Sequence, residues 1–115
     1  MSVTDESAPA YHAHIYFDAD SRDRAWALQE RISAAFPKAE VGRFHERNVG
    51  PHPRWSCQVA FPLRMFAALV PWLMLNRDGL TIFLHPLTGN SLAEHEHLPL
   101  WMGEMLPLKL DQFRK

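Results

Sequence analysis

The stretch "YHAHIYFD", Tyr11–Asp18, decides how the chain is built. An extended strand alternates its side chains between two faces. Tyr11, Ala13, Ile15 and Phe17 therefore share one face, and His12, His14 and Tyr16 share the other. The first set suits a hydrophobic core. The second places two histidines and a tyrosine where a half-exposed sheet carries ordinary polar groups.

Working outward, "DADSRDRAWALQERISAAF" (18–36) begins with Asp20 or Ser21, either able to cap a helix. Ala25, Leu28, Ile32 and Phe36 recur at helical spacing and form one stripe, and Pro37 stops the helix. "EVGRFHER" (40–47) reads as a second strand and "NVGPHP" (48–53) as a turn. "RWSCQVAFP" (54–62) is a third strand, with Trp55, Cys57, Val59 and Phe61 on one face. A second helix is expected from Pro62 to Asn76, kinked at Pro71, with "NRDG" as its exit. "LTIFLH" (80–85) is the fourth strand. Residues 86–115 read as a proline-punctuated extension with one short helix near 90–97, and residues 1–10 as a disordered leader before a single domain, 11–115.

The order β-α-β-β-α-β is the split βαβ, ferredoxin-like arrangement: an α+β antiparallel sheet with two helices on one face. Right-handed crossovers put both helices on the side of Ala13, Ile15 and Phe17. The first and fourth strands are then antiparallel neighbours, and the open face collects His12, His14, Tyr16, Thr81, Phe83 and His85. His85 falls near His12 and His14.

The bulk numbers agree with one small folded unit. The chain has 115 residues, of which 47% are apolar, so a core can form without staples. The single cysteine, Cys57, faces the core by strand parity, excludes an internal disulfide and fits a reducing cytoplasm. The net charge of −1, with no basic run, leaves no electrostatic footprint for nucleic acid. The apolar run at 65–75 contains Pro71 and is too short to span a bilayer. Seven histidines are the compositional oddity.

Three imidazoles, or two with a carboxylate, make a facial metal site with open positions. A histidine on a strand is more often a hydrogen-bonded core or surface residue, and the spacing here has none of the specificity of a CxxC or HExxH motif. "EHEH" (94–97) reads first as a solvated helix face, and His45 as an exposed residue. Three classes of function stay open: a metal enzyme, a non-catalytic small-molecule or metal-binding module, and a dimerisation domain whose histidines only hydrogen-bond. Tyr16, Phe83 and Trp101 would leave a bare apolar face in a monomer, which predicts a homodimer.

Five short motifs add a resemblance. "HIYF" (14–17), "VGPHP" (49–53), "VPWLMLN" (70–76), "FLHPLTG" (83–89) and "LW-GE-LPL" (100–108) occur in an order similar to the DOPA 4,5-dioxygenase family. The chain resembles a small, bacterial-type member of it over about residues 11–110. The resemblance implies a ferredoxin-like, dimeric enzyme that cleaves a DOPA-like catechol beside its two hydroxyls, using non-haem Fe(II) and dioxygen. Zn(II) or Ni(II) could occupy such a site in a purified sample.

Carried over by motif, the resemblance implies His14, His52 and His85 as metal ligands, His95 as the residue that moves protons with His12 as its alternative, and Tyr16 and Trp101 as pocket walls. Asn48 stands where the family usually has proline, which should loosen the loop that carries His52. Geometry sets a condition on His52. It precedes the third strand, whose start lies near Phe17, at the end of the sheet remote from His85. His52 reaches the cluster only if the Gly50–Pro53 loop folds over the open face or a partner chain supplies it. Otherwise His12, His14 and His85 form the triad.

Overall fold

The computed structural model describes residues 9–114. Five strands and three helices follow in the order β1 (Pro9–Phe17), α1 (Arg22–Ala35), β2 (Glu40–His45), β3 (Trp55–Pro62), α2 (Phe66–Asn76), β4 (Thr81–Pro86), α3 (Ser91–Glu96) and β5 (Leu100–Met102). Single 3-10 turns cover Leu63–Met65 and Leu110–Phe113. The expected leader lies outside the described residues except for Pro9 and Ala10, which open β1. The sheet order is β2-β3-β1-β4-β5, and every pairing is antiparallel. This is the expected α+β, ferredoxin-like sheet with one strand added beyond β4.

That fifth strand was not legible. It has three residues between Pro99 and Gly103, too few to display an alternation of period two. It pairs Ile82 with Met102, Phe83 with Trp101 and Leu84 with Leu100. Gly103 ends it at φ +87°, a conformation only glycine adopts without strain.

The core lies on one side of the sheet. Ala13, Ile15 and Phe17 of β1 pack with Cys57, Val59 and Phe61 of β3 and with Ile82 and Leu84 of β4. Above them sit Ala25, Leu28 and Ile32 of α1 and Leu69, Val70 and Leu73 of α2. Both helices cover the same face, as right-handed crossovers require. Cys57 is buried there, its thiol pushed up to about 12 by burial, so it acts as a small apolar residue. Among the described residues no helix is long and apolar enough to cross a membrane.

The opposite face differs from expectation. Tyr16 is 1% exposed and Phe83 is 0% exposed within a single chain. The chain covers this face itself, with the loop before β3 on one side and α3 with the Leu110–Phe113 turn on the other. Lys109 N donates to Pro51 O at 2.8 Å and joins the two coverings. The bare apolar face from which a homodimer was inferred is therefore absent.

Candidate metal centre

β1 and β4 build the floor of the site. Their register puts His12 opposite His85 and His14 opposite Phe83. On one face of an antiparallel pair such neighbours, and their diagonals, are within reach of ring side chains. The ligand nitrogens of His12, His14 and His85 all lie within 4.8 Å of one another. Nε2 of His14 and Nε2 of His85 are 3.1 Å apart. Two nitrogens each about 2.1 Å from one ion, at a right angle, stand about 3 Å apart, so this spacing fits two ligands of a single cation.

The protons on these rings follow from their partners. Nδ1 of His85 lies 2.9 Å from Pro86 O. A carbonyl only accepts, so Nδ1 carries the proton and Nε2 is the bare nitrogen that faces His14. Nδ1 of His95 likewise donates to Ser91 O, at 2.7 Å, leaving its Nε2 bare. Such donation from the far nitrogen is how proteins orient imidazole ligands. His14 and His85 are 4% and 1% exposed. Burial holds His14 well below its ordinary pKa, and the neighbouring His52 and His85 add to that. Burial also lowers His52 and His85 to about 4 and shifts His12 down. All four are neutral near pH 7, the state in which imidazole binds a metal. His14 and His85 are buried and His12 is half-buried; neutral and convergent, the three fit a divalent cation.

His52 does reach the cluster, by the first of the two routes. Its loop folds over the face, turning at Gly50 with φ +59°. The His52 and His14 ring centroids are 4.2 Å apart, and the Tyr16 hydroxyl is 2.6 Å from His52 Nδ1. Burial raises the pKa of Tyr16, so the phenol keeps its proton and can donate it to His52 Nδ1, which would leave the ring proton on Nε2. Within this loop Asn48 Nδ2 donates to Pro53 O at 3.2 Å.

α3 brings His95 over the face, with ring centroids 4.5 Å from His85 and 4.8 Å from Phe113. Its helix is anchored by Glu94, which corrects the expectation that "EHEH" is a solvated face. Glu94 is 5% exposed, and its Oε2 accepts from Thr88 N, Thr88 Oγ1 and Gly89 N. Burial alone would raise this carboxyl, but those bonds outweigh it and hold it below its usual range. Only His97 of the four is exposed. Trp101 is half-buried beside Phe83, at 4.6 Å, and Tyr16, at 6.2 Å. The site thus gathers His12, His14, Tyr16, His52, His85, His95 and Trp101. Sequence reasoning missed Glu94 and Phe113. The run "LTGNSLAE", with Asn90 capping Ala93 N, signalled the helix but not the direction of its acid.

Fold and side chains together define a small α+β domain with a buried histidine group able to hold a metal ion. The sequence pattern of the Dopa 4,5-dioxygenase family matches residues 11–112. The chain is 32% identical to a DOPA 4,5-dioxygenase of Amanita muscaria, over 96% of this chain and 52% of that protein. It is 35% identical to an uncharacterised 21.2 kDa protein of Botryotinia fuckeliana, over 92% of this chain and 64% of that protein. It therefore spans about half to two thirds of these relatives' lengths. A crystal structure of a candidate dioxygenase of Nostoc punctiforme superposes with a TM-score of 0.89 at 43% identity, covering 99% and 97% of the two chains. The chain belongs to the Dopa 4,5-dioxygenase family.

Proposed function

We propose that this protein is an extradiol dioxygenase acting on a catechol, with Fe(II) and dioxygen. The observation that carries it is the convergence of His12, His14 and His85 on one point, in a chain of this family. His12, rather than His52, completes the proposed triad, because its ligand nitrogen belongs to the close group with His14 and His85, which does not include His52. A bound iron would supply Lewis acidity and electron exchange between the diol and dioxygen. The chain's own residues do the rest. His95 Nε2, bare because Nδ1 is spent on Ser91 O, accepts a proton from a catechol hydroxyl. Tyr16 acts through His52, fixing its ring so that Nε2–H can donate toward the diol oxygens. Phe83, Trp101 and Phe113 exclude water and give the ring an apolar wall.

A homodimer belongs to the same proposal. Its support is now the outer edge of β5, which pairs with no further strand among the described residues and has Leu98 and Leu100 exposed at its start. Light scattering should give a dimer, and a monomer at every concentration would remove this part.

The test of the activity is direct. Protein purified without oxygen is loaded with Fe(II), then given aerated catechols, L-DOPA among them. A yellow ring-opened product with matching oxygen uptake, lost in His14→Ala, is expected. Tight metal binding without turnover of any catechol would replace the enzyme with a binding module.

A further inference from the structure

Beside the histidine group lies a cavity of about 360 Å³. His95 and Trp101 wall it on the cluster side, and Met105, Leu106, Leu108 and Leu110 line much of the remainder. His95 is thus shared between the cavity and the ring stack above His85. A diol held at the cluster with its ring near Trp101 would point its substituent into this space.

The lining carries little charge that a substituent could use. Glu96 is its one formally charged lining residue, and both of its oxygens are engaged. Oε2 takes the Arg114 guanidinium and Oε1 lies 3.1 Å from His97 Nε2. Among the lining residues there is no lysine or arginine to receive a carboxylate. The lining residues are half-buried or exposed, so a zwitterionic arm stays in water there and gains nothing from the leucines. An alkyl arm gains affinity with each methylene that the leucines take out of water.

We infer that this cavity is the substituent subsite of the catechol and selects an uncharged, apolar arm over the amino-acid arm of DOPA. The inference rests on the catechol reading above and names the substrate class within it.

The test is anaerobic titration calorimetry on the Fe(II)-loaded protein, so that binding is read without turnover. Catechol, 4-methylcatechol, 4-ethylcatechol, 4-propylcatechol and L-DOPA are compared. Affinity should rise with each added carbon, up to about fourfold per fully buried methylene. L-DOPA should bind at least about tenfold more weakly than 4-propylcatechol. Leu106→Arg should flatten the alkyl series and narrow the gap to L-DOPA. Met105→Arg does the same from an exposed position if Leu106→Arg fails to fold. A flat series with normal binding of catechol itself overturns this inference and leaves the dioxygenase reading standing. Failure of unsubstituted catechol to bind overturns the catechol reading and the inference with it.

Discussion

His14 and His85 come from strands paired across 71 residues of sequence, and their Nε2 atoms meet at 3.1 Å inside the protein. Without a cation, one ring must donate to the other, and since His85 Nδ1 already donates to Pro86 O, His14 is the donor. For both nitrogens to bind one cation, His14 would have to carry its proton on Nδ1. The hydrogen bond between the rings has the spacing of such a ligand pair.

Removing either ring should separate metal binding from folding. His14→Ala and His85→Ala are expected to lose more than about 100-fold in Fe(II) or Zn(II) affinity, beyond the loss seen when a supporting group is removed. The core on the opposite face is untouched, so circular dichroism should still show a folded protein. Variants that bind metal as before would disprove the site, and variants that simply unfold would make the histidines structural.

Acid should destabilise the metal-free protein over a defined window. His52 and His85 have folded pKa values of about 4 against an ordinary 6.5, so the unfolded chain binds more protons between those limits. Their stabilising contribution is complete above about pH 6.5 and disappears as the pH falls through 4. Denaturant melts from pH 7 to pH 4 should follow this course, with a saturating metal shifting the loss to lower pH. A melt midpoint independent of pH across that window would count against neutral buried rings.

Tyr16→Phe tests how His52 is held. The variant keeps the ring but leaves His52 Nδ1 without its donor inside the protein. A buried unsatisfied acceptor costs about 1–3 kcal/mol, readable by urea denaturation. Turnover should fall while binding of the three-histidine metal changes little. Equal losses of metal affinity and turnover would instead make His52 a ligand.

Glu94→Gln should loosen α3. Three donors converge on Oε2 of Glu94, and an amide accepts them more weakly. A loss of about 1–3 kcal/mol is expected, with greater damage to turnover than to metal affinity, because His95 rides on this helix while the triad does not. Unchanged turnover would show that His95 is placed by Phe113 alone.

Much of this was legible in the chain. Alternation in Tyr11–Asp18 separated core from site, and the element order put His85 beside His12, because strand parity and crossover handedness are local rules with long-range consequences. What could not be read depends on how irregular backbone closes on itself. Nothing in "NVGPHP" says that the loop folds inward, since its turn at Gly50 and the Asn48–Pro53 bond are conformational details. The direction of Glu94 and the packing of Phe113 on His95 depend on the same closure, and so does the coverage of Tyr16 that removed the bare face.

The two coverings over the histidines have a dynamic consequence. The floor is β1 and β4, laddered on both sides and backed by the core. The roof is the loop before β3 together with α3 and the Leu110–Phe113 turn, two distant segments latched by the amide of Lys109 on the carbonyl of Pro51. Local opening draws on such lightly bonded segments first. Amide hydrogens of the floor should exchange only on global unfolding, while that of Lys109 exchanges early. Lifting the roof would open the space above His12, His14 and His85 without disturbing the strands that carry them.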